Sequence, residues 1–215
     1  MSWPHILSLS RVAAGPVVAA LVLAQPGNAY LLAAIVFGLA AVTDLLDGRL
    51  ARHSQTVSPL GVFLDTTADK VMVGLTLVAL ALSGMAAAWI PMVILGREFL
   101  ITGLRSYAAS QGQVISSHIW GKGKAAFTMV AITALLVAAD GRSGALLANL
   151  GNHDLWIKLD ILSGWLLAVS ALLTVISGAR YIVDAWPLFR EPAPVRRERT
   201  QPEIARIAPR RDQAR

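Results

Sequence analysis

The sequence predicts an all-α, polytopic membrane protein, a bundle of six transmembrane helices, and three observations carry that prediction. The first is composition. Of 215 residues, 55% are hydrophobic and only 15% charged, with a mean hydropathy of +0.59, a balance too apolar for an ordinary soluble domain of this length. The second is segmentation. A spanning helix needs about 20 mostly apolar residues, and six such stretches occur, over 5–23, 30–48, 61–83, 85–108, 119–139 and 155–183. The third is the placement of positive charge. Arg49 and Arg52 follow the second stretch, Lys122 and Lys124 follow the fourth, and arginines crowd the C-terminal tail. The positive-inside rule then puts both termini in the cytoplasm. That requires an even number of spans, and six satisfies it.

Taken in order, each element has its own signals. The chain opens with "MSWPHILSLSR", which lacks a basic n-region followed by a small-residue cleavage site, so no secretory signal peptide is expected. The breaks "QPGN", "RHSQTVSP", "SGMA", "SQGQVISS" and "DGRSGALLANLGNHD" are rich in the Gly, Pro, Ser and Asn that turns use. The first and third breaks carry no Lys or Arg, and the fifth has only Arg142 and the bordering Lys158. There is no internal repeat. Residues 1–184 form one six-helix domain, and 185–215 form a basic tail, predicted to be disordered and cytoplasmic. That tail mixes arginines with Pro and a few acids and has hardly any aromatics, which points to anionic lipid rather than nucleic acid as its neighbour. The chain has no cysteine, so disulfides, thiolate metal sites and cysteine nucleophiles are excluded.

One stretch breaks the apolar pattern. "TDLLDGRLARHSQTVSPLGVFLDTTADK" holds four carboxylates, Asp44, Asp47, Asp65 and Asp69, and a charge at the centre of a bilayer helix costs roughly 2.5–3.5 kcal/mol on insertion scales. Asp44 and Asp47 are spaced i, i+3, and Asp65 and Asp69 i, i+4, so on helices each pair shares a face. The short break between the second and third helices makes them antiparallel neighbours, and all four acids can converge at the cytoplasmic end of one cavity. Gathered without compensation they would repel one another and take up protons. Hard divalent cations remove that problem, and Mg²⁺ favours a few carboxylates together with substrate phosphates. The competing reading, ion pairs with Arg49, Arg52 and Lys70, leaves acids in excess.

The intervening residues sharpen the metal reading. Gly48 beside Asp47 leaves room for a nucleotide or phosphate to approach the backbone. Ala51 keeps the same wall small one turn on, Arg52 can grip a phosphate with two donors, and Ser58 adds a hydroxyl. Gly61 opens the third helix with a residue suited to close packing in membranes.

The order Asp44-x2-Asp47-Gly48-x2-Ala51-Arg52-x8-Gly61-x3-Asp65-x3-Asp69 resembles the signature of the CDP-alcohol phosphatidyltransferases at every defined position. Within that family, four segments are similar to the bacterial phosphatidylglycerophosphate synthase subgroup. They are "WPHILSLSR", "FLDTTADKVMV", "GREFLITGLRSYAASQG" and "WGKGKAAFTM". His5 and Ser8 stand where that subgroup has Asn and Thr, Thr66 where it has Pro, and Ala125 where it has Thr; Ser8 keeps the hydroxyl. The resemblance implies a six-helix membrane fold, often homodimeric, in the inner membrane, with the active site facing the cytoplasm. It implies transfer of a phosphatidyl group from CDP-diacylglycerol to an alcohol with release of CMP, using two divalent cations, Mg²⁺ or Mn²⁺. It also implies that Asp44, Asp47, Asp65 and Asp69 ligate metal, that Asp69 is in addition the general base, and that Gly48, Arg52 and Ser58 contact the CDP-lipid. Ala51, Gly61 and Ser8 are grouped with that CDP-lipid site.

The acceptor is read from cations. Arg97 within an apolar run is expensive unless it faces a polar cavity. Arg105 lies eight residues on, about two turns and so on roughly the same face. With Lys122 and Lys124 they suit an acceptor that carries its own phosphate, such as glycerol 3-phosphate. Inositol phosphate or another alcohol is the alternative acceptor. An intramembrane prenyltransferase would leave the Gly48–Arg52 element unexplained, and a divalent-cation carrier predicts acids deeper in several helices.

Overall fold

The computed structural model describes residues 3–25, 28–50, 59–112 and 120–186, and side chains within 9–25, 28–43, 66–112 and 125–186. Six long helices account for most of these residues: α1 Trp3–Ala24, α2 Ala29–Leu50, α3 Pro59–Leu82, α4 Trp89–Ser110, α5 Trp120–Arg142 and α6 His153–Ala185. A short 3₁₀ helix, Leu146–Leu150, separates the last two. Among the described residues there is no strand, as the all-α reading expects.

The helix limits follow local chemistry. Pro59 opens α3, the position where its missing N–H is of no consequence and its fixed φ helps. Helix α2 continues through Gly48 to Leu50 rather than stopping at 48. The largest boundary shift is at α4, which starts at Trp89 and not at residue 85. Gly84 takes φ +72°, its N–H donates to the Ala81 carbonyl at 3.1 Å, and the Met85 N–H donates to the Leu80 carbonyl at 2.9 Å. This paired closure uses up the last carbonyls of α3, so the chain needs four more residues to turn before α4 can begin. The fifth connection, read as loop, contains the 3₁₀ helix, entered after Gly144 at φ +79°.

The helices pack as a closed ring in the order α1, α3, α4, α6, α5, α2 and back to α1. This corrects one expectation. Among the described residues the main partner of both α2 and α3 is α1, which lies against each of them, so the two acid-bearing helices are not chiefly each other's neighbours. Close approach of α1 to α3 is made by Gly15, where a Cβ would stand 3.0 Å from the Met72 Cα. Val18, Val22, Phe37, Met72, Leu77, Leu80, Ile132, Leu135, Leu136 and Leu167 fill the interior without solvent contact.

Contacts between neighbours fix their directions. Leu31 of α2 meets Asp140 of α5 and Gly38 meets Thr133, so these helices are antiparallel. Thr128 with Ser170, and Gly141 against Trp156, make α5 and α6 antiparallel. Lys70 with Thr102, and Gly74 against Leu95, do the same for α3 and α4. As a result α2, α4 and α6 finish at one end of the bundle, where α1, α3 and α5 begin.

Among the described residues, two helices are long and apolar enough to cross a membrane, α5 over Ala125–Arg142 and α6 over its whole length. The described side chains of α1 and α2 form apolar stretches over Leu9–Ala24 and Ala29–Thr43. Helix α4 falls short because Arg97, Glu98 and Arg105 interrupt it. Outward-facing side chains are nonetheless apolar on every helix, as Leu39, Leu82, Phe99, Val130 and Trp165 illustrate.

Candidate active site at one end of the bundle

Asp44, Asp47 and Asp65 fall in helix ends that the ring topology puts at one pole, and Asp69 lies a turn deeper in α3 than Asp65. Asp44 and Asp47, with Gly48, lie in the last two turns of α2; Gly61, Asp65 and Asp69 lie in the first three turns of α3. The side chains of Asp44, Asp47, Gly61 and Asp65 lie outside the described residues, as do those of Ser8, Lys122 and Lys124, whose backbones are in α1 and α5. Ala51, Arg52 and Ser58 lie outside the described residues altogether. Among the described residues no three potential ligands come together, and Asp69 is the one member of the acidic set whose side chain is described.

Asp69 is half-buried, and its Oδ1 is fully shielded from solvent. A carboxylate oxygen in that position needs a hydrogen bond or a counter-charge. The donor set it belongs to consists solely of carboxylates, the hard oxygen ligands that Mg²⁺ and Mn²⁺ favour over softer metals. The residues therefore fit a divalent cation. Arg11 is a further charge at this level and was not singled out from sequence. Helices α1 and α3 run in the same direction, so with Gly15 on Met72, one turn back in each sets Arg11 level with Ala68 and Asp69. Its guanidinium is fully buried.

Helix α4 stands between α3 and α6 and offers a different face to each. Toward α3, Lys70 Nζ donates to Thr102 Oγ1 at 2.5 Å, and that hydroxyl donates to the Glu98 carbonyl at 2.7 Å. Lys70 is thus tied to a neighbouring helix. Toward α6, Arg97 donates through Nη1 to Glu98 Oε1 at 2.9 Å and through Nη2 to Ser177 Oγ at 3.0 Å. Gly178 makes room for that crossing, since a Cβ there would stand 2.9 Å from Arg97 Cγ.

Two buried polar atoms in this α4–α6 seam have no hydrogen-bond partner among the described residues, Arg97 Nε and the Tyr181 hydroxyl. Tyr181 is 6% exposed, and Arg105 and Arg97 are the charges that act on it. Buried donors are rarely left unsatisfied in native proteins, and donors clustered with two guanidiniums suit an anion with several oxygens. Arg97 lies in this seam, and Arg105 stands exposed about two turns on along α4. Tyr181 and Ser177 were missed because their relevance depends on a helix about 80 residues away in sequence. The one local signal was Gly178, a small residue of the kind that marks close helix contact in membranes.

The family model for CDP-alcohol phosphatidyltransferase matches residues 1–176. A Bacillus subtilis (strain 168) protein named CDP-diacylglycerol–glycerol-3-phosphate 3-phosphatidyltransferase is 33% identical over 199 residues, covering 87% of this chain and 96% of its own. A Pseudomonas fluorescens protein of the same name is 32% identical over 193 residues, covering 87% and 91%. A rice cardiolipin synthase (CMP-forming) is 34% identical over 203 residues, covering 88% of this chain and 59% of its own. With the acidic motif on α2 and α3, cations on α4, and a family match across five helices and most of the sixth, the chain belongs to the CDP-alcohol phosphatidyltransferases.

Proposed function

We propose that this chain transfers the phosphatidyl group of CDP-diacylglycerol to a hydroxyl of glycerol 3-phosphate, giving phosphatidylglycerophosphate and CMP. The reading is supported by family membership and by relatives of that name that it matches along nearly their whole length. The structural observation that supports it is the bond from Lys70, next to Asp69, to Thr102, which lies between Arg97 and Arg105 on α4.

In this reading Asp44, Asp47, Asp65 and Asp69 hold two divalent cations, Mg²⁺ or Mn²⁺, which would neutralise diphosphate charge and stabilise departing CMP. The residues Gly48, Ala51, Arg52, Ser58, Gly61 and Ser8 line the CDP-lipid site. Asp69 accepts the proton of the attacking hydroxyl, whose oxygen bonds to the phosphorus bearing diacylglycerol as the bond from that phosphorus to CMP breaks. Arg97, Arg105, Lys122 and Lys124 bind the acceptor's phosphate, and Tyr181 joins them as a donor from α6. All six helices span the inner membrane with both termini and the reacting end in the cytoplasm. The basic segment 185–215 lies against anionic lipid, and two copies of the chain form a homodimer.

An acceptor panel scored by CMP release tests this reading. Purified protein with CDP-diacylglycerol and Mg²⁺ should release CMP with glycerol 3-phosphate. It should release far less with inositol phosphate, free glycerol or a lipid alcohol. Release with another alcohol in preference would replace the acceptor, and no release with any would remove the transferase reading.

A further inference from the structure

The end of the bundle farthest from the acidic motif has a charge of its own that no part of the proposed chemistry uses. Asp140, in the last turns of α5, is completely buried. Its Oδ1 accepts the Leu31 N–H at 3.3 Å, and its Oδ2 accepts the Leu147 N–H at 3.0 Å. Leu31 is the third residue of α2 and Leu147 the second of the 3₁₀ helix. Both donors therefore belong to helix first turns, where N–H groups lack an internal partner and the helix dipole favours negative charge. The carbonyl of the same residue accepts Ser143 Oγ at 2.8 Å and the Ala145 N–H at 3.4 Å. One residue thus joins the start of α2, the end of α5 and the intervening turn. Its neighbour Arg142 is engaged elsewhere, with Asp160 of α6.

This bond belongs to a continuous register. Leu31 pairs with Asp140 and, seven residues along each helix in opposite directions, Gly38 meets Thr133. Extending the antiparallel register by further turns brings the backbone of Asp47 level with that of Lys124. Gly38 against Thr133 is a packing contact in this register, and the Leu31–Asp140 bond adds a directional one.

We propose that Asp140 is a positioning residue: it pins the axial register of α2 on α5, and thereby sets the backbone of Asp47 level with that of Lys124 near the start of α5. The register half of this proposal stands on the bonds just described, and the functional half rests on the transferase reading above.

The test uses the full chain, which has no cysteine, so that nitroxide labels can be placed uniquely. Leu39→Cys on α2 and Val130→Cys on α5 are suitable, being 65% and 62% exposed. Dipolar electron paramagnetic resonance reads the distance between them, and Mn²⁺ titration followed by the free-ion signal reads metal affinity without turnover. Asp140→Asn should shift or broaden the label distance and raise the Mn²⁺ dissociation constant on the order of tenfold, the low end for substitutions acting behind the ligands. Leu31→Pro removes the same N–H donor from a first helical turn that tolerates proline, and should change both readouts in the same direction. Arg142→Gln should change neither. An unchanged distance in both Asp140→Asn and Leu31→Pro would overturn the register pin. A changed distance with unchanged Mn²⁺ affinity would overturn the positioning role. Absence of Mn²⁺ binding in the unsubstituted chain would instead overturn the metal reading and leave the distance result to stand by itself.

Discussion

The two ends of the bundle both carry charge in an apolar chain, but they treat it in opposite ways. At the far end Asp140 has a backbone donor on each carboxylate oxygen, and Arg142 is paired with Asp160. The Trp156 indole occupies the space where Gly141 would carry a Cβ, its Nε1 has no hydrogen-bond partner among the described residues, and a cavity of about 300 Å³ opens at this end between Tyr30, Ala139, Arg142 and Asp160. Toward the motif end, Arg97 Nε and the Tyr181 hydroxyl are buried with no partner among the described residues, and the four acids of the motif are carried by two helices that share α1 as main partner. The contrast therefore lies in the charged groups: Asp140 and Arg142 are satisfied within the fold, whereas Arg97 keeps one buried donor in reserve.

Substitutions at the two ends should therefore break different properties. The largest effect belongs to the motif end. Asp69→Asn should lower turnover by about 10³-fold, within the range for loss of a general base, while the thermal midpoint stays within a degree or two of the parent; near-normal turnover would remove the proton-accepting role. Next comes Gly141→Ala at the far end. Forcing a methyl into the Trp156 ring should cost about 3 kcal/mol, the upper range for overpacking, seen as a lower thermal midpoint with unchanged turnover per folded molecule. Loss of turnover at full stability would contradict the division between the ends.

Tyr181→Phe is a milder probe, since it keeps the ring and removes one donor. Losing a hydrogen bond to a charged group is worth about 1.5 kcal/mol, so the KM for glycerol 3-phosphate should rise roughly tenfold with the KM for CDP-diacylglycerol unchanged. Equal effects on both substrates would place the hydroxyl outside the acceptor seam. The smallest effect is expected for Arg142→Gln. The pair is partly exposed, and such pairs contribute about 0–1 kcal/mol, so stability should fall by less than 1 kcal/mol and activity should hold. A larger loss would mean that this pair does more than close the far end.

Much of this was legible in the residue order because it is local. Apolar runs of spanning length and the turn residues between them located all six helices to within four residues at each end. The greatest displacement, at the start of α4, came from the closure at Gly84. The acidic motif was legible because its two halves are adjacent in sequence. What could not be read was which helices touch. The loop between α2 and α3 argued for direct pairing, yet α1, made close-packing by Gly15, lies against both. Tyr181 and Asp140 were invisible for the same reason. One joins Arg97 across a helix seam, and the other meets an N–H 109 residues distant. A tyrosine or an aspartate at a helix end has no local pattern that distinguishes a long-range partner from solvent.

The most direct measurement of the central claim follows both products of one reaction. With labelled glycerol 3-phosphate, CDP-diacylglycerol and Mg²⁺, label should enter the lipid phase mole for mole with CMP released into water, and both signals should vanish together in Asp69→Asn. CMP release without label in lipid would mean that the CDP-lipid is hydrolysed or that another alcohol attacks it, and would contradict glycerol 3-phosphate as the acceptor.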